Sequence, residues 1–151
     1  MRKYAIAILL LAIAACKTPQ QKWFDSLTGY KEIKGKSLVI QLMRIQEKKD
    51  TTTLNYKLRI YPVKEWMEQA SADDLNHLNY QMDSCFTLKA GAVKRAPAFV
   101  QSVASGIKGG FEYLVSFELD STVKMKALQL TFADRYIGGL AYNFDLTSNS
   151  R

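Results

Sequence analysis

A mainly β fold is what this sequence predicts: an antiparallel β-sandwich of about six to eight strands with one or two short helices, the alternative being a small open β-barrel. Three observations carry that reading. Leu54-Asn55-Tyr56-Lys57-Leu58-Arg59-Ile60 alternates apolar and polar residues, the period of a strand with one buried face. Phe111, Tyr113, Val115, Phe117 and Leu119 repeat the alternation, and Leu140, Tyr142, Phe144 and Leu146 repeat it again. Each such face must lie against another layer, and a second sheet is the economical cover. The chain has 151 residues, enough for one domain with its own core.

Taken in order, Ser37 to Gln46 is aliphatic on both parities and predicts a strand covered on both faces. Glu47 to Thr52 is a polar link, so this run and the next make a hairpin, which Pro62 ends because it has no N–H to donate. From Lys64 to Asn79 the spacing turns helical. Ser71-Ala72-Asp73-Asp74 resembles an N-cap with an acidic third position, followed by Leu75 and Leu78. Phe86 and Leu88 then share one face of a strand. Ala90 to Gly110 is broken by Gly91, Pro97, Gly106, Gly109 and Gly110; it reads either as a surface loop holding one short element or as a crossover between sheets. Phe111–Leu119, Lys126–Ala133 and Leu140–Leu146 are expected to form one sheet, packed on another made from the first hairpin and the Phe86 strand.

Ahead of all this lies a segment of different character. Arg2 and Lys3 precede an apolar run from Tyr4 to Ala15, and Cys16 closes it. At about 1.5 Å per residue in a helix the run reaches roughly 18 Å, too short for a bilayer core of about 30 Å. A basic head, a short apolar stretch and small residues before a cut site make a secretory signal. Ile13-Ala14-Ala15-Cys16 resembles the lipobox of bacterial lipoproteins. The resemblance implies cleavage before Cys16 and acylation of that cysteine, with two or three chains giving the stable anchoring that one does not. It also implies an outer-membrane address, because Lys17 stands where aspartate would resemble the inner-membrane retention signal. The expected organisation is a signal peptide over 1–15, a lipidated cysteine, tether and lead-in over 16–35, a single β domain over 36–147, and a tail over 148–151.

The net charge of +7 includes Arg2 and Lys3, which would leave with the signal. Lys31, Lys34, Lys36 and Lys48-Lys49 are the densest basic groups, and they alternate with hydroxyl and acidic residues as a solvated face does. That pattern, with an envelope address, argues against nucleic acid. With Cys16 acylated, Cys85 is left as a lone thiol that serves as a small buried hydrophobe.

Motifs for catalysis are sparse. His77 is the only histidine, no Gly-x-Ser-x-Gly elbow occurs, and a surface or capping role is expected for it. Ser105–Lys108 and Ser121–Lys124 both spell Ser-x-x-Lys, a spacing that works only where a helix start sets the lysine beside the serine. No zinc spacing, calcium loop or P-loop is present. The expectation is therefore no catalytic residue, no metal and no cofactor beyond the covalent lipid on Cys16. Tyr61, Trp66, Phe99 and Lys108 are the candidate interaction surface, since aromatics off the apolar parity of a strand anchor partners.

The leading functional expectation is a lipid-anchored envelope protein acting as a structural or accessory interaction module, with the membrane and another envelope protein as partners. Its plan is similar to that of small accessory lipoproteins of secretion and envelope assemblies. The alternative is a lipoprotein that binds a glycan or small apolar molecule through Ala90–Gly110 and exposed aromatics. A hydrolase is the third reading.

Overall fold

The computed structural model describes residues 18–19, 22, 25–47, 50–120 and 127–147. Cys16, the signal segment, Lys48-Lys49, Ser121–Lys124 and the tail lie outside the described residues. Nine strands and two helices occur among them. In order they are β1 (Tyr30–Lys34), β2 (Leu38–Ile45), β3 (Thr53–Pro62), α1 (Lys64–Gln69) and α2 (Ala72–Tyr80). After them come β4 (Phe86–Ala90), β5 (Val93–Arg95), β6 (Phe99–Val103), β7 (Phe111–Glu118), β8 (Leu128–Ala133) and β9 (Ala141–Asp145).

The strands form two antiparallel sheets, β1-β2-β3-β7-β6 and β5-β4-β8-β9, whose inner faces share one core. Among the described residues this is a β-sandwich and not a closed barrel. The five-stranded sheet contributes Ile40, Leu58 and Tyr113 to the core; the four-stranded sheet contributes Phe86, Leu130, Phe132 and Phe144. Only one face of β2 is fully buried. Val39, Gln41 and Met43 on its other face are half-buried, because Tyr61, Arg59 and Lys57 stand opposite them on β3.

The sheets are partitioned differently from the sequence expectation. β7 pairs with β3 and not with β8; β8 and β9 join the Phe86 strand instead. Register explains the choice: Arg59 faces Glu112 across β3 and β7, so opposite charges meet in that alignment. Ala90–Gly110 resolves into two elements: β5 folds back on β4, and β6 crosses to the other sheet. Arg95 and Asp120 form an ion pair between the end of β5 and the residues after β7.

The predicted helix start is present. The Ser71 hydroxyl accepts from Asp74 N–H at 3.1 Å, and the Asp74 carboxylate accepts from Ser71 N–H at 2.9 Å. α2 is fixed to the core by buried Leu78 and by the Tyr113 hydroxyl, which donates to the Leu78 carbonyl at 2.7 Å. At the other end of the fold Leu27 bridges to Thr147, Thr28 N–H donates to Leu146 O, and Arg44 N–H donates to Gly29 O. The chain therefore enters and leaves at the same end.

The β2–β3 connection is held by a carboxylate. Asp50 accepts from Thr52 N–H and the Thr52 hydroxyl, both at 2.7 Å, and from the Thr53 hydroxyl. These bonds, led by the one from Thr53, favour the charged form and bring its pKa from 3.8 down to about 2. A depressed folded-state pKa gives stability that is complete above pH 4 and is lost as pH falls toward 2. The melting temperature of Asp50→Asn should accordingly lie below that of the unaltered protein at pH 6, and the gap should close between pH 4 and pH 2. A gap unchanged by pH would refute the assignment.

Candidate interaction site

The outer face of the five-stranded sheet carries a polar row. Register sets Glu32, Gln41, Arg59 and Glu112 side by side across β1, β2, β3 and β7. Gln41 Nε2 donates to Glu32 Oε2 at 3.0 Å, and that bond is the main reason the Glu32 carboxyl titrates below its ordinary value. Arg59 Nε donates to Glu112 Oε2 at 2.5 Å, and Lys57 Nζ lies 3.4 Å from Glu112 Oε1. Glu112 is only 3% exposed, whereas the side chains of Lys57 and Arg59 are about one-third exposed. A buried carboxylate with a cation on each oxygen clasps β3 to β7.

On the edge side of this row the surface changes. Among the described residues the sheet orders leave β1, β6, β5 and β9 as edges. Three of them carry charge: Lys31, Glu32 and Lys34 on β1, Lys94 and Arg95 on β5, and Asp145 on β9. β6, Phe-Val-Gln-Ser-Val, carries none, and no charged residue occurs between Arg95 and Lys108. Charge is one of the means by which natural sheets keep other strands from adding at their edges, and β6 lacks it.

Two clefts border β6. The outer one, about 320 Å³, lies over β3 and β7, with Phe99 as its edge-side wall and Ile45, Glu47, Asn55, Leu114 and Ser116 completing the lining. The inner one, about 300 Å³, lies between β6 and α2 and is lined by Asn79, Tyr80, Met82, Asp83, Val100 and Ser102. Phe99 is 48% exposed and Tyr80 is 77% exposed, so each cleft has a large aromatic in solvent. A smaller cavity of about 190 Å³ continues past Val103 to Gly106, Gly110 and Glu112.

The residues anticipated as an interaction surface fall in separate places. Phe99 begins β6 and walls the outer cleft. Tyr61 lies at the far end of β3, six residues beyond Asn55 in the Phe99 row, or about 20 Å away. It is half-buried there, close enough to Gly110 that a Cβ would meet its ring at 2.8 Å. Lys108 is exposed in the neighbouring 104–110 loop. Trp66, on α1, is half-buried and packs against the core. The charge-free edge itself escaped the sequence reading; the run without charge from Ala96 to Ile107 was the available signal.

His77 and Cys85 are structural in their surroundings. The imidazole of His77 stacks on Tyr136 with ring centres 4.9 Å apart, and its Nδ1 lies 2.7 Å from Gln81 Oε1. Ser105 and Lys108 occupy a loop with Gly106 at φ +70°, not a helix start, so their spacing makes no serine–lysine pair. Cys85 is buried at 1% exposure, and burial pushes its thiol up. It should resist iodoacetamide in the native protein and react fully in denaturant; native labelling at the denatured rate would contradict its placement. Among the described residues no group of three or more His, Cys, Asp or Glu is arranged to hold a metal ion, and no helix is long and apolar enough to cross a membrane. Comparison of the chain with protein-family models, curated proteins and solved structures gives no match.

Proposed function

We propose that this chain is a lipid-anchored cell-envelope protein whose β-sandwich is an accessory interaction module without catalysis. The observation that carries the reading is Ile13-Ala14-Ala15-Cys16, placed directly after a basic head and a short apolar run. Acyl chains on Cys16 tie the chain to the membrane, with the outer membrane favoured by Lys17. The fold is compatible with such a tether. Leu27, the first buried residue of the described chain, is fixed at one end of the sandwich, and the helices with the 134–140 turn lie toward the other. The uncharged β6 edge and its clefts supply a surface for a protein partner.

The ligand-binding alternative has less support, because Ala90–Gly110 is divided between β5, a crossover and β6 and is not one loop free to close on a ligand. Mass spectrometry of the mature amino terminus tests the anchor. Cys16 should be the first residue and carry acyl chains, and Cys16→Ser should move the protein from the membrane to the soluble fraction. An unmodified Cys16 would overturn the proposal. The module reading is tested by recovery of a stoichiometric partner with the anchored protein; recovery of none would count against it.

A further inference from the structure

We propose that β6 is a docking edge for an extended segment of a partner protein, which adds as a sixth strand to the sheet β1-β2-β3-β7-β6. The segment has bulky apolar side chains on both parities and a basic residue near an end. This names the partner chemistry for the interaction-module reading and rests on that reading only for the existence of a partner.

The argument begins with the backbone. Among the described residues β6 pairs with β7 on one side only, so its other side presents unpaired N–H and C=O groups. An added strand completes that ladder, and main-chain bonds supply affinity whatever the incoming sequence. Specificity comes from the side chains. In an extended segment they alternate between the two faces of the sheet; on the α2 face a cleft lies beside the edge, and on the outer face exposed Phe99 stands at it. One parity meets Phe99; the other meets Tyr80, Met82 and Val100.

Size and charge select the occupant. The α2-side cleft of about 300 Å³ is large enough for an aromatic or long aliphatic side chain. A second copy of β6 would offer Val100 and Ser102 to the α2-side cleft, and these are too small to fill it. Among the described residues, the only charged side chain lining the α2-side cleft is a carboxylate, Asp83. An incoming strand with lysine or arginine near an end meets this opposite charge.

The test uses the full chain in detergent micelles and a labelled octapeptide, acetyl-Arg-Thr-Phe-Val-Leu-Tyr-Thr-Lys-amide. The peptide is expected to bind and to slow amide exchange in residues 99–103. A version with proline at its two central positions should bind about tenfold more weakly, because proline cannot complete the ladder. A version with glutamate at both ends should lose about threefold. The variant F99K/Q101K places two charges on exposed positions of the edge and should lose about tenfold, with a melting temperature within about 2 °C of the unaltered protein. Should that variant unfold, Y80A and D83N, both at exposed positions, should each weaken the peptide about threefold.

Absence of binding to the folded chain, equal binding of the proline peptide, or protection confined to residues outside β6 would overturn the proposal. So would a dimer that F99K/Q101K abolishes, which would make a second copy the occupant. A cellular partner whose binding survives F99K/Q101K would leave the interaction module standing and remove β6 as its site. Peptide bound at β6 with no cellular partner recovered would instead count against the module reading alone.

Discussion

Phe86→Ala is expected to lower the unfolding free energy by about 3–5 kcal/mol, the cost of emptying a large aromatic site that cannot collapse. Phe86 opens β4 and is 1% exposed. Its ring centre lies 5.4 Å from that of Phe132 on β8 and 6.1 Å from that of Tyr113 on β7. Phe132 belongs to its own sheet and Tyr113 to the facing one, so the ring helps join the two layers. A cavity there has rigid strands on both sides and little freedom to close. Urea unfolding of the variant should show a lower midpoint with an unchanged slope, and Phe86→Leu should lose about 1 kcal/mol. A loss under about 1 kcal/mol for the alanine variant would mean that the sheets are not joined through this ring.

The second large effect is expected at Asp134. Its carboxylate is 4% exposed and accepts four backbone N–H groups of the turn between β8 and β9. Oδ1 takes Tyr136 and Ile137 at 3.0 and 2.9 Å; Oδ2 takes Gly138 and Gly139 at 2.6 and 3.2 Å. Gly139 adopts φ +70°, the left-handed region that closes the turn without a Cβ penalty. Asp134→Ala leaves all four donors without the acceptor, at a cost of about 3 kcal/mol once exposed Gly138 and Gly139 turn to water. Asp134→Asn keeps one carbonyl oxygen and should lose about half of that. Because Tyr136 also stacks on His77 and its hydroxyl donates to Gln81 O, loosening the turn should release the end of α2. Faster amide exchange at residues 77–81 in the alanine variant would show this; unchanged exchange there would refute the coupling.

The sandwich and its elements were legible wherever local pattern decides structure. Leu54–Ile60 and Phe111–Phe117 alternate, and both are strands with the expected face inward. Ser71 and Asp74 spell a helix start and form one. Two short strands were not legible. β1 alternates half-buried and exposed residues without an apolar parity, and β5 has three residues and no buried one. Sheet membership was not legible either, since β7 reads the same beside β3 or β8. What places it is Glu112 opposite Arg59, a contact between residues 53 apart in the chain. The candidate site was visible in part. Phe99 stood out as an aromatic, but only topology makes β6 an edge, and only packing opens the clefts that border it.

The Leu27–Thr147 bridge has a kinetic consequence. It joins residues from near opposite ends of the described chain, and its neighbours Thr28 and Leu146 share a backbone bond. Closing so long a loop is entropically costly and slow, and the core stays open until β9 arrives. A chain threaded through a membrane from its amino terminus would therefore emerge with its first half unable to finish folding. On the proposed reading, modification of Cys16 would then meet a chain whose domain is still open.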